Sequence, residues 1–308
     1  MNARLMFLIG IILAATGIVS APVALIAGLI FGLVFAPHPY VEESRSLARF
    51  LLQASVVGLG FGMNLAQVVH AGRSGFIYTA ISISIATGLG LLLGLWLRVA
   101  KKSSFLITMG TAICGGSAIA ALSPVIEADG DAIAVAMGTV FALNSVALLA
   151  FPLIGHALNL TQTQFGLWAA LAIHDTSSVV GAASKYGSQA LAIGTTVKLA
   201  RALWIVPVSL LTAYLFKSKA RIKFPWFILL FCVAAAMKSY LPMGHALYAM
   251  LYSLGKTGLV VTLFLIGTGL SKATLKQVGM RPLMQGVALW VVIGTASLLA
   301  IRAGWIAL

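Results

Sequence analysis

Charge is what this sequence has least of. Only 8% of its 308 residues are Asp, Glu, Lys or Arg, whereas an ordinary soluble domain carries about 25%, so no water-facing surface can be assembled from it. Acidic residues are the scarcest, six against twenty Lys and Arg. The resulting net charge of +14 invites a nucleic-acid reading, but a nucleic-acid binder gathers its basic residues on a soluble face. Here they lie in short loops between apolar runs, and nucleic acid is excluded as a partner. Cysteine is nearly absent. Cys114 and Cys232 both fall within apolar stretches, without metal-ligand spacing or a disulfide framework. No phosphate-binding Gly-rich loop occurs either, so no cofactor or metal is expected, and any energy must come from gradients or a separate subunit.

What is present is hydrophobic residue, 61% of the chain, with a mean hydropathy of +1.06. Eleven apolar segments can be traced, at 5–19, 22–35, 48–66, 76–98, 105–122, 131–155, 163–183, 189–216, 225–240, 246–270 and 281–303. Many approach the roughly 20 residues needed to cross a bilayer. The expected fold is therefore all-α: one polytopic transmembrane transporter domain over residues 1–308, with about 11 transmembrane helices and the lipid bilayer as solvent. Arg4, the apolar stretch after it and Val19-Ser20-Ala21 also resemble a secretory signal. Its cleavage would leave ten helices, whereas Pro22 favours a tight turn between two retained ones.

Lys and Arg accumulate in cytoplasmic loops of inner-membrane proteins. A cytoplasmic N-terminus with alternating helices puts Arg4, Arg45, Arg49, Arg98, Lys101, Lys102, Lys217, Lys219, Arg221, Lys223, Lys272, Lys276 and Arg281 on that side. Only Arg73, Lys185, Lys238 and Arg302 fall on the other. The same count places the loop 217–224 inside, and Glu127, Asp129 and Asp131 in the periplasm.

Two internal echoes stand out. An offset of 207 superposes Gly60, Gly62, Ala66 and Gly72 on Gly267, Gly269, Ala273 and Gly279. The two copies run in opposite directions in this topology, the inverted-repeat plan of many secondary transporters. A second echo pairs Ala112-Ile113-Cys114-Gly115-Gly116-Ser117 with Ala172-Ile173-His174-Asp175-Thr176-Ser177. In the helix count these two units come out parallel, in conflict with an inverted plan.

The echoed segments carry the chemistry. Adjacent glycines at Gly115 and Gly116 free the backbone to unwind, and unwound backbone at membrane depth is tolerated only inside protein or beside a wet cavity. The bland alternative is a close helix crossing through small residues. His174, Asp175, Thr176, Ser177 and Ser178 form a polar run flanked by apolar residues. Asp175 is the only acid away from the ends of any expected span, and an intramembrane ionisable residue marks a functional site unless it merely caps a helix. Lys198 and Arg201, three apart, share one helix face in the middle of the span 189–216. Two buried cations against one carboxylate favour an anion, while pairing of Asp175 with Lys198 or Arg201 is the structural alternative. Gln53, Asn64, Gln67 and Asn144 rank as secondary polar candidates.

At these motifs the chain resembles the YeiH-like bacterial inner-membrane proteins commonly labelled sulfate exporters. The resemblance is carried by residues 110–121, by 165–183 with their Ile-His-Asp core, and by 195–207 with Lys198 and Arg201. Weaker similarity covers 51–72 and 258–279. The chain departs at Ser178, where many members carry Gln. The resemblance implies export of a small oxyanion.

The expected substrate-binding set is thus Cys114, Gly115, Gly116, Ser117, His174, Asp175, Thr176, Ser177, Ser178, Lys198 and Arg201, on broken helices meeting at mid-membrane. The expected activity is secondary transport of a sulfate- or sulfite-like oxyanion or a small organic anion, not an enzymatic reaction. Coupling to a proton or sodium ion stays open, as does a homodimer. A cation/proton antiporter using Asp175 is the rival. An intramembrane serine hydrolase pairing Ser117 with His174 is the alternative from another class.

Overall fold

The breaks anticipated at the two echoed motifs are present, and they turn the chain back on itself. A computed structural model describes residues 3–35, 41–217, 225–241, 244–269 and 279–307. The described residues form helices and the turns between them, with no strand among them. Among the described residues, five helical stretches are long and apolar enough to cross a membrane: Tyr78–Trp96, Gly130–Ala157, Ser188–Phe216, His245–Thr268 and Met280–Arg302. The chain divides into two compact units, Met1–Val69 with Trp226–Lys272, and His70–Pro225 with Ala273–Leu308.

The first unit contains α1 (Ala3–Ala15), α2 (Ala21–Phe35) and α3 (Val41–Gly60). Phe7 and Ala14 of α1 join Ala24 and Phe31 of α2 in its apolar core. α4 (Leu65–Trp96) leads into the second unit, which continues with α5 (Lys101–Ala112), α6 (Gly116–Leu122), α7 (Gly130–Ala157), α8 (Gln162–Ala172), α9 (Thr176–Tyr186), α10 (Ser188–Leu203) and α11 (Ile205–Phe216). The first unit resumes with α12 (Trp226–Tyr240) and α13 (His245–Thr268), and the second closes with α14 (Met280–Arg302).

Within the first unit, α3 and α13 touch backbone to backbone. A Cβ at Gly58 would lie 2.9 Å from the Leu251 carbonyl oxygen and 3.0 Å from Gly255 Cα. Gly258 abuts Ser55, and Gly62 abuts Tyr252. Partner numbers fall as α3 advances, so the helices are antiparallel, and small residues permit the close approach. These are the two helices related by the 207-residue offset, and they run in opposite directions as expected. Ala273 lies outside the described residues, as do Lys219, Arg221, Lys223, Lys272 and Lys276.

The second unit departs from the sequence reading. Segments 105–122 and 163–183 are not single spanning helices, because each is a hairpin that enters and leaves at the same end. In the first, the Lys102 ammonium at the start of α5 donates to the Glu127 carbonyl beyond α6 at 2.6 Å. A Cβ on Gly110 would sit 2.9 Å from Ile119 Cδ1, a contact that collinear helices nine residues apart along the chain could not make. In the second, the Tyr186 hydroxyl at the end of α9 donates to the Leu160 carbonyl at 2.6 Å. The Phe165 and Tyr186 rings stack at 3.8 Å, and Gln162 at the start of α8 accepts from the Gln189 N–H at 3.0 Å.

α7 sets the hairpins against each other. Its 28 residues extend about 42 Å. The Asp129 carboxylate caps one end by accepting from the Ala132 N–H at 2.7 Å, beside the base of the first hairpin. At the other end His156 stacks on Tyr186, 4.3 Å between centroids, at the base of the second. The hairpins therefore enter from opposite ends and their tips meet near the middle. This corrects the placement of Glu127, Asp129 and Asp131, which return to the end that carries Lys101 and Lys102. It also removes the conflict over the second echo, since the two broken units are antiparallel. The two corrections offset each other: α7 runs opposite to the expected alternation, as do the half-helices α6 and α8, while α10 keeps its expected direction.

Single-cysteine labelling in a Cys232→Ser background tests the hairpins, Cys114 being buried. Lys101→Cys and Gly130→Cys should react with an impermeant reagent from one face of the membrane, and Ala157→Cys and Ser188→Cys from the other. Reaction of Lys101→Cys and Gly130→Cys from opposite faces would restore a spanning helix over 105–122.

Candidate functional site

Each hairpin tip is three residues of non-helical backbone. α5 stops where Ile113 leaves helical geometry at φ −111°, ψ −87°, and Gly115 turns the chain at φ +67°. That left-handed conformation is costly for any residue with a Cβ. A Cβ there would also lie 3.2 Å from Cα and Cβ of Asp175, so glycine lets the two tips touch. α8 starts from a Thr161/Gln164 capping box and stops at Ile173, whose extended backbone carries the chain through His174 to Asp175. Asp175 then caps α9, its carboxylate accepting from the Ser177 N–H at 3.0 Å and from the Ser177 hydroxyl.

Breaking two helices in the buried interior of the unit leaves the last carbonyls of α5 and α8 without intrahelical partners. Lipid cannot supply any. Lys198 and Arg201 on α10, both fully buried, do so. The Lys198 ammonium donates to the Ile173 carbonyl at 2.7 Å and the Ala170 carbonyl at 3.4 Å. Arg201 spreads its fork over both hairpins. Nε donates to Ala112 O at 2.7 Å, Nη2 to Thr111 O at 3.3 Å and Nη1 to Leu171 O at 2.7 Å. Cations at helix C-termini also oppose the helix dipoles, and only a guanidinium presents enough donors in one plane for three carbonyls. The alternative, an ion pair of Asp175 with Lys198 or Arg201, is not formed. Asp175 bonds to Ser177, and the two cations bond to backbone, so electrostatics couple the three at a distance rather than through an ion pair.

α7 completes the junction. The Asp175 N–H donates to Asn144 Oδ1 at 3.2 Å, which ties the second tip to the midpoint of α7, while Gly116 of the first tip faces Met137 and Phe141. The other three secondary candidates belong to the first unit or to its end. Gln53 is exposed, Asn64 accepts from the Ala66 N–H at the start of α4, and the side chain of Gln67 lies outside the described residues.

The structure thus brings together Cys114, Gly115, Gly116, His174, Asp175, Thr176, Ser177, Ser178, Lys198 and Arg201, all buried. Ser117 differs, being exposed on α6. Neither ring nitrogen of His174 has a hydrogen-bond partner, so the Ser117–His174 contact that a hydrolase dyad requires is not formed. Asn144 Nδ2, Thr111 Oγ1 and Thr195 Oγ1 are likewise buried without partners. Sequence reasoning missed Gln285 altogether, although it interrupts the apolar span 281–303. Fully buried on α14, its amide donates to Gly90 O at 2.9 Å and Ser104 Oγ at 2.8 Å, fastening α14 to α4 and α5.

Comparison with known proteins gives a consistent result. The sequence profile described as Conserved hypothetical protein 698 matches residues 3–286. The chain is 50% identical to a UPF0324 membrane protein of Bdellovibrio bacteriovorus, over 99% of this chain and 95% of that one. It is 48% identical to a UPF0324 membrane protein of Geobacter sulfurreducens, over 97% and 96%, and 46% identical to one of Vibrio vulnificus, over 97% and 98%. No solved structure matches the chain.

Removing the guanidinium tests its place at both tips. Arg201→Met should strand three buried carbonyls and destabilise the protein by at least about 3 kcal/mol, read as a lower melting temperature in detergent. Arg201→Lys keeps the charge but reaches fewer carbonyls and should melt between the two. An Arg201→Met protein that melts with the parent would show that the tips hold without it.

Proposed function

The chain belongs to the UPF0324 membrane proteins, the YeiH-like family its motifs resemble, and from that premise we propose that it is a secondary transporter of small anions in the bacterial inner membrane. One observation carries the reading: two opposed re-entrant tips meet around two buried cations and one carboxylate. Among the described residues, Asp175, Lys198 and Arg201 are the only buried side chains with a formal charge in their ordinary ionised forms. Two positive charges against one negative leave a formal excess of one positive. The half-charges of the helix ends do not alter it, since two C-termini, of α5 and α8, oppose two N-termini, of α6 and α9. In a medium of low dielectric such an excess attracts an anion strongly.

Broken helices meeting near a midplane site are also typical of secondary transporters, because non-helical backbone supplies polar groups where a substrate can replace water. Buried groups without partners at the junction, His174 and Asn144 among them, are suited to that exchange. In this reading a sulfate- or sulfite-like oxyanion or a small organic anion binds at the two tips, with the N-terminus cytoplasmic and no enzymatic step. A coupling proton or sodium ion would enter through His174 or Asp175. The cation/proton antiporter is disfavoured because Asp175, the only buried acid among the described residues, is outnumbered by cations and committed to capping α9.

Counterflow in proteoliposomes tests the proposal. Internal unlabelled sulfite or sulfate should accelerate entry of the labelled anion, saturably, and Lys198→Met should reduce that exchange about tenfold or more in whatever fraction remains folded. Asp175→Asn should leave an anion carrier active if its carboxylate only caps α9, and abolish transport if it carries the coupling ion. Absence of any anion counterflow, with sodium or proton exchange present instead, would hand the assignment to the antiporter.

A further inference from the structure

A lysine in the first unit extends the anion-carrier reading, on which this inference rests. α13 has 24 residues, His245–Thr268, and extends about 36 Å. Lys256 is the basic residue at its middle. The hydrocarbon core reaches about 15 Å to either side of its midplane, and a four-carbon stem at mid-span cannot carry an ammonium that far to the headgroups. Lys256 is nevertheless exposed, its ammonium 5.1 Å from the centre of the Tyr252 ring.

The cost of a bare charge in hydrocarbon excludes lipid as its neighbour. A protein neighbour would have to bring a carboxylate, and the six acids of the chain lie elsewhere. Asp175 caps α9. Glu127, Asp129 and Asp131 stand at the base of the first hairpin, at a membrane end. The α3–α13 register, with Gly58 against Gly255 and Ser55 against Gly258, puts the backbone of Glu42 and Glu43 beyond the Thr268 end of α13. A second copy docked by two-fold symmetry would present the same face, and with it another Lys256. Water remains. The rest of the helix surface agrees: His245, Tyr252 and Ser253 share the Lys256 face at helical spacing, whereas the exposed Leu247, Met250 and Leu254 occupy a separate side that suits lipid. Side chains of a helix lean toward its N-terminus, so the ammonium is directed over Tyr252 toward the His245 end.

We infer that this face of α13 lines a water-filled passage from the His245 end to mid-membrane, and that Lys256 draws the transported anion along it. A single hydrated cation of this kind concentrates small anions and repels cations without holding either tightly.

Charged thiol reagents test this on the full-length protein in membrane vesicles of both orientations, in a Cys232→Ser background, Cys114 being buried. Ser253→Cys should react with impermeant methanethiosulfonates from one side, and Leu254→Cys should not. Normalised to a free thiol in solution, Ser253→Cys should favour the sulfonate-bearing reagent over the trimethylammonium one. Lys256→Gln should lower that preference on the order of tenfold, Lys256→Arg should preserve it, and high salt should shrink it. An unreactive Ser253→Cys, or a Leu254→Cys that reacts equally fast, would overturn the passage. An unchanged preference in Lys256→Gln would overturn the role of the lysine, and spontaneous Ser253→Cys disulfide dimers would assign the face to a second copy instead. None of these readouts needs transport, so the anion-carrier reading falls separately, on absent counterflow.

Discussion

The carbonyl groups at the ends of α5 and α8 impose the constraint on which the second unit depends. A helix that stops within the hydrocarbon region exposes oxygens that neither lipid nor the next turn can satisfy. Lys198 and Arg201 resolve this by donating to five backbone carbonyls, at positions 111, 112, 170, 171 and 173. Burying two cations is itself expensive unless each is fully bonded, so each problem answers the other. The guanidinium does the larger share because its planar fork reaches both hairpins at once.

This arrangement makes the tips a fixed polar island rather than loose loops. Gly115 gives the first tip its left-handed turn and lets it lie against Asp175. Asp175 spends its carboxylate on the start of α9 and its N–H on Asn144. What is left over is a formal excess of one positive charge, together with unpartnered groups that include the Asn144 amide nitrogen and the His174 imidazole. A device that satisfies the backbone thereby generates the electrostatic preference on which the transport reading rests.

Much of this was legible in the chain. The apolar runs and scarce charge specify a polytopic helical membrane protein, and the Gly-Gly and Ile-His-Asp motifs mark where helices break. The 207-residue offset anticipates the antiparallel meeting of α3 and α13. Re-entry was not legible, because a hairpin of two half-helices and one spanning helix can bury similar numbers of apolar residues. Residues 105–122 and 163–183 have the length and hydropathy of spans. Contacts across each hairpin, such as those of Lys102 with Glu127 and of Tyr186 with Leu160, show that each turns back.

Sequence alone therefore determined solvent, helical class and the identity of the buried ionisable residues, since composition and local propensity act without regard to what lies across the fold. Tertiary structure decided what those residues bond to. Asp175, Lys198 and Arg201 look like an ion pair in waiting when read along the chain, yet both cations face backbone carbonyls, and Arg201 takes two of its own from Thr111 and Ala112, some ninety positions away. Asn144, one secondary polar candidate among four, becomes a member of the site for the same reason. Hydrogen bonds are satisfied by whatever the packing brings within about 3 Å, and proximity across hairpins is not encoded in spacing along either one.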